Sequence, residues 1–175
     1  MFRLKKGYVH LYTGNGRGKT TAALGFALRA AGAGLKVFIA QFAKGTATSE
    51  LVSLRKLSGR ITVKQFGSRS FIKGEPSHND RAQAAKGMAM VRRLIEKGSY
   101  DVVILDELCG ACVHKLVSID ETIDMIRNKH DSVELVITGR NAQKEMIRVS
   151  DVVTEMREIK HYYTKGVKAR KGIEY

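Results

Sequence analysis

Short apolar runs alternate with longer amphipathic stretches along the chain. Runs at residues 8–12, 36–42, 61–66, 101–106, 133–138 and 152–156 have strand length and are rich in Val, Ile, Phe and Tyr. Val37-Phe38-Ile39 and Val102-Val103-Ile104-Leu105 are apolar at successive positions, as strands buried on both faces of a parallel sheet are. Helical patterns lie between the runs. Residues 20–31 are small and apolar nearly all round, and Gly32 and Gly34 end them. Residues 49–57 predict a short helix. Residues 80–97 place Ala84, Met88, Val91 and Ile95 at three- and four-residue spacing. Ser118-Ile-Asp-Glu121 reads as a capping box opening a helix to residue 128, and Asn141 as the cap of a helix to residue 149. Residues 67–79, with Gly67, Gly74 and the sole proline, Pro76, predict a long loop of the kind that often carries function. Strands alternating with helices imply a mainly parallel sheet with right-handed crossovers. The expectation is a single α/β domain over residues 1–175, a sheet sandwiched by helices.

The first strand runs straight into Thr13-Gly-Asn-Gly-Arg-Gly-Lys-Thr-Thr21. Strand, glycine-rich turn and helix in this order make a phosphate-binding loop. Gly14, Gly16 and Gly18 are expected at positive φ, turning backbone N–H groups towards an anion. The helix start adds unpaired N–H groups and a positive dipole end. Lys19 supplies a point charge for phosphate oxygens and Thr20 a hydroxyl for Mg²⁺. The usual pattern places glycine five residues before Gly18, where this chain has Thr13; Gly14 follows one residue later, so the loop's path should differ from the ordinary one.

A second signal is Asp101-Val-Val-Ile-Leu-Asp106-Glu107, an apolar strand closing in two carboxylates. Mg²⁺ takes hard oxygen ligands and keeps waters, so an acidic pair at a strand end near a phosphate loop suits it. Gln41 to Gly45 leave another strand's C-terminal end, where ligands of open α/β sheets gather. Arg140 also follows a strand; as a residue type it suits either a phosphate partner or a surface arginine.

Hydrophobic content of 43% and charged content of 27% are those of an ordinary globular protein. No apolar run has membrane-spanning length, and the basic start Met-Phe-Arg-Leu-Lys-Lys leads into no signal-peptide core. The expected setting is cytoplasmic, with no membrane. The net charge of +14 invites a nucleic-acid reading. The basic residues are spread along the chain without interleaved aromatics, which favours an enzyme with an anionic substrate and no nucleic-acid partner. The tail cations Lys160, Lys165, Lys168, Arg170 and Lys171 read as a solvated basic end. Cys109 and Cys112 form one Cys-x-x-Cys half-site. A zinc site needs a second half, so reduced, packed thiols are favoured over metal or redox work.

Taken together, these residues resemble the ATP:corrinoid adenosyltransferases of the P-loop type. The likeness runs through Thr13–Thr21, Gln41-Phe42 with Lys44-Gly45, Val103-Ile-Leu-Asp-Glu-Leu108, Ile137-Thr-Gly-Arg140, Lys160-His161, Gly166-Val-Lys-Ala169 and Gly172-Ile-Glu-Tyr175. It implies a RecA-like P-loop NTPase fold and a homodimer. It also implies transfer of the 5′-deoxyadenosyl group of ATP to the cobalt of a reduced corrinoid, with release of triphosphate, ATP lying reversed so that the loop surrounds the γ-phosphate. By position, Gly14, Asn15, Gly16, Arg17, Gly18, Lys19, Thr20 and Thr21 would hold the phosphates, Thr20 and Glu107 would bind Mg²⁺ or Mn²⁺, and Lys19 and Arg140 would serve the reaction. A flavoprotein or other reductant would supply Co(I). Relatives place two aromatics against the corrin; here Phe71 stands alone, without the tryptophan. Only six residues precede Gly7, where many relatives carry an additional helix. A P-loop kinase or motor and a nucleic-acid-binding module are the competing readings.

Overall fold

The computed structural model describes residues 4–46, 48–68 and 74–175. Its core is a six-stranded, wholly parallel sheet. The strands are β1 (Val9–Thr13), β2 (Val37–Phe42), β3 (Ile61–Phe66), β4 (Val102–Asp106), β5 (Glu134–Thr138) and β6 (Val152–Glu155), in the spatial order β3-β2-β4-β5-β1-β6. The helices are α1 (Lys19–Gly32), α2 (Ser49–Arg55), α3 (His78–Glu96), α4 (Leu108–Val113), α5 (Ile119–Arg127) and α6 (Lys144–Val149). This is the α/β, P-loop NTPase-like architecture that the alternation predicts.

The two-residue period of the strands divides the core into two layers. On one face Val37, Ile39, Val102, Ile104 and Val136 pack against Ala23, Ala27 and Ala30 of α1 and Leu54 of α2. The buried apolar residues of α1 on this side are alanines, which lets the helix sit close to the sheet, and Leu24 and Phe26 pack at its margins. On the other face Phe38, Ala40, Phe42, Val103, Leu105, Leu135 and Ile137 pack against α3 through Ala84, Met88, Val91 and Ile95 and against Met125 of α5. Phe42 is fully buried; truncating it to alanine would cost about 3–5 kcal/mol.

Several element boundaries differ from the sequence expectation for visible reasons. Helix α3 starts at His78 rather than residue 80, because Ser77 and Asp80 form a reciprocal capping box. Asn141 caps nothing: it sits at φ 54, and α6 begins later with Gln143 at its N-cap. The Ser118 side of its box is present, its hydroxyl accepting from Glu121 N–H at 3.4 Å. Helix α4 was hidden by its shortness; it carries both cysteines, buried and free. Among the described residues no helix is long and apolar enough to cross a membrane.

Candidate functional site

The site forms where the C-terminal ends of β1, β2, β4 and β5 meet the start of α1. Register fixes its members. Gln41 stands beside Asp106 in the β2–β4 ladder, and Tyr12 beside Thr138 in the β1–β5 ladder. Gln41, Asp106 and Thr138 share parity with Ile39, Ile104 and Val136, so all three face α1. Thr20 on α1 completes the group.

Asp106 is the hub, 1% exposed. Its Oδ1 accepts from Thr20 Oγ1 and Thr138 Oγ1, each at 2.8 Å. Its Oδ2 accepts from Lys44 Nζ at 2.8 Å and Gln41 Nε2 at 3.1 Å. Four donors account for the buried charge. Gln41 is itself held by Gln65, whose Nε2 donates to Gln41 Oε1 at 3.1 Å. Burial works to lower the Lys44 pKa, and the Asp106 carboxylate outweighs it, so Lys44 lies above its ordinary value.

Glu107 is the carboxylate left for other work. It sits at φ 62, just past the strand, and its N–H donates to Thr138 Oγ1 at 3.0 Å. Burial first, then the charge of Asp106, raise its pKa, against the pull of Lys44, Lys19 and Arg140. A carboxylate held in this state gains from a nearby cation. Thr20, Asp106 and Glu107 offer only hard oxygens, the donor chemistry of Mg²⁺. Among the described residues no cluster of three or more His, Cys, Asp or Glu could hold a metal by itself, so a cation here would lean on hydroxyl and ligand oxygens as well.

The glycine-rich loop takes only part of the conformation that its glycines suggest. Gly14 and Gly18 lie at φ 95 and 111, but Gly16 does not have positive φ. Gly16 is needed for another reason. Its N–H donates to the Met156 carbonyl at 2.7 Å, and a Cβ there would lie 2.8 Å from Met156 and Arg157 backbone. Thr13, in the place of the usual first glycine, is buried, and its Oγ1 accepts from Ala142 N–H at 3.3 Å. Lys19 is nearly buried and closes the loop, donating to the carbonyls of Gly14 and Gly16 at 2.6 and 2.7 Å. Burial, then Arg140, push its pKa below the ordinary value. An incoming anion would favour the charged amine and so work against both pressures. Arg140 is exposed at the end of β5, with its charge felt at both Lys19 and Glu107. Asn15 and Thr21 are exposed. Arg17 reaches away from the loop, pairing with Glu174 at 3.2 Å.

A cleft of about 700 Å³ begins at Thr20, Thr21 and Lys44 and runs between α1 and α2, with Leu24, Leu28 and Leu54 along its walls. Residues 172–175 line it too, so the tail is part of the site rather than a purely solvated end. Lys160, Lys165, Lys168 and Lys171 are exposed as expected. Gln65 carries no motif of its own; Thr138 lies in Ile137-Thr-Gly-Arg140 and the tail ends in Gly172-Ile-Glu-Tyr175, and likeness to relatives is the signal that marks these two. Cys109 lies behind the site with its thiol pushed up to about 12, first by burial. Phe71, the expected corrin contact, lies outside the described residues.

Known proteins resemble this chain over nearly its full length. The family described as ATP:corrinoid adenosyltransferase BtuR/CobO/CobP matches residues 5–175. A corrinoid adenosyltransferase of Pseudomonas aeruginosa is 33% identical over 174 residues, covering 99% of this chain and 86% of its own length. One from Escherichia coli K12 is 32% identical over 171 residues, covering 98% and 87%. The corrinoid adenosyltransferase CobA of Salmonella typhimurium is 33% identical over 177 residues, again covering 98% and 87%.

Proposed function

The chain belongs to the ATP:corrinoid adenosyltransferase family, and from that membership we propose that it transfers the 5′-deoxyadenosyl group of ATP to a reduced corrinoid, releasing triphosphate. The observation that carries the proposal is the convergence of Lys19, Thr20 and Glu107 at the C-terminal end of the sheet, with no activated protein nucleophile beside them among the described residues. Thr20 spends its hydroxyl proton on Asp106. Cys109, the nearest thiol, stays protonated at neutral pH. Such a site suits a reaction whose nucleophile arrives with the substrate. The Co(I) lone pair attacks C5′ of ATP, the C5′–O bond breaks, and its electron pair leaves with the triphosphate.

The protein then contributes position and charge. Lys19 leaves its two loop carbonyls and neutralises the leaving triphosphate, with Arg140 assisting from the end of β5. Thr20 and Glu107 would hold Mg²⁺, which supplies further charge neutralisation to the phosphate oxygens. Asp106 keeps Thr20 and Lys44 in register. The active unit is a homodimer of one domain per chain, working in the cytoplasm with a separate reductant.

The test is anaerobic incubation of the protein with ATP, Mg²⁺ and chemically reduced cob(I)alamin, following the absorbance change of Co–C bond formation. Alkylation that requires all three supports the proposal. Intact cob(I)alamin while ATP is turned over to ADP would move the protein to the kinase or motor reading.

A further inference from the structure

The loop and the last twenty residues are joined at several points. After β6 the chain passes so close to the loop that a Cβ on Gly14 would sit 2.4 Å from the Met156 carbonyl oxygen. It then turns through the 3₁₀ segment Tyr162–Lys165 and comes back, so that residues 172–175 form one wall of the cleft that Thr20 and Thr21 open. One cluster holds the return. Arg17 pairs with Glu174, donates to the Ile173 carbonyl at 3.1 Å and to the Tyr162 hydroxyl, and lies 5.5 Å from the Tyr162 ring centre. Glu174 also accepts from the Tyr162 hydroxyl, from Arg170 N–H at 2.6 Å and from the Arg170 guanidinium at 3.3 Å. Across the cleft, Ser49 Oγ donates to the Tyr175 carbonyl at 2.9 Å.

We propose that Arg17 and Glu174 form a latch. Arg17 is a positioning residue that holds residues 172–175 as a wall of the ATP cleft, rather than a ligand of the triphosphate. The inference rests on the assignment of loop and cleft to ATP. Its physical basis is that the Arg17 fork is already spent on three partners of the strap, one of which neutralises its charge. The loop is gripped from outside on two sides, by Arg17 and by the Gly16–Met156 bond, so its shape and the strap's position are set together.

The test compares Arg17→Met, Glu174→Gln and the double variant. Calorimetry gives the affinity for ATP and for inorganic tripolyphosphate, and trypsin reports cleavage at the exposed Lys160, Lys165 and Lys168. A latch predicts that both single changes weaken ATP binding by about tenfold, the scale of one charge-assisted hydrogen bond. It predicts that the double variant loses less than the sum of the two singles, because both break the shared Arg17–Glu174 pair. Tripolyphosphate, which does not reach the wall, should lose less, and trypsin should cut the strap several-fold faster in all three. If Arg17 were a phosphate ligand, Glu174→Gln would free its charge and tighten binding while Arg17→Met weakened it; that opposite sign overturns the latch, as do additive losses or unchanged cleavage. A wild-type protein that binds neither ligand would sink the assignment of the site, and the cleavage rates would still decide for or against the latch.

Discussion

At the scale of single residues, the two acids of the Asp106-Glu107 pair do different jobs. In sequence they are equivalent. In the fold Asp106 has all its capacity taken by Thr20, Gln41, Lys44 and Thr138, while Glu107 is left under pressure from burial and from its neighbour. Asp106→Asn sets an amide N–H₂ against some of those donors and should cost about 1–3 kcal/mol, seen as a lower melting temperature. Glu107→Gln should do the reverse. Its carboxyl has a raised folded pKa, so it opposes folding once the pH climbs past its ordinary value of 4.5. The glutamine variant should therefore melt higher than wild type near pH 7 and match it in acid, while losing the Mg²⁺ response of ATP binding. Equal melting shifts for the two variants would contradict this division of labour. Lys19→Ala should lower the transfer rate by roughly 10²–10³, the loss expected for one preorganised charge-stabilising donor; unchanged turnover would remove Lys19 from the site.

At the scale of elements, local pattern gave the strands and long helices, and interactions distant in sequence set the rest. The apolar runs are strands within a residue or two of their expected ends, and β2 and β4, buried along their whole length, carry the plainest signal. Helix α4 and the late start of α6 escape the pattern because a six-residue helix is less than two turns, too short for an amphipathic period to repeat. The loop's glycines were read as conformational, and for Gly14 and Gly18 that is right. Gly16 is a glycine because the chain 140 residues later passes against it, a reason no window of sequence contains. Gly16→Ala should push Met156 and Arg157 away and cost about 1–3 kcal/mol by overpacking, with weaker ATP binding. Gly25→Ala is the matched control: it lies within α1 with nothing within 4 Å of the added Cβ, and should stabilise by about 0.5–1 kcal/mol. Thermal unfolding of the pair separates the two kinds of glycine.

At the scale of the whole molecule, the fold class and the phosphate loop were legible from the chain alone, as was the acidic strand end. What was not legible was the closure of the chain on itself. A tail with five cations among its last sixteen residues reads as solvated, yet Glu174 turns part of it into structure. Its carboxyl is held down to about 2, first by the Tyr162 hydroxyl and then by Arg170. Arg17, Arg170 and Tyr162 are the groups that face it. A lowered folded pKa means that the contribution is present above the ordinary 4.5 and is lost as the pH falls towards 2. Hydrogen exchange of residues 170–175, corrected for its intrinsic pH dependence, should stay protected from pH 8 to 5 and rise only in acid. Protection lost already at neutral pH would show that the strap is not held this way.

The central claim, that the loop serves adenosyl transfer rather than phosphoryl transfer, is tested most directly by the fate of the phosphates. Phosphorus NMR of ATP during anaerobic turnover with cob(I)alamin reads it in one spectrum. The account predicts tripolyphosphate appearing in step with alkylated cobalt, with no ADP. ADP and inorganic phosphate in its place would mean that the bond broken lies between phosphates, and the reaction would be that of an ordinary P-loop enzyme.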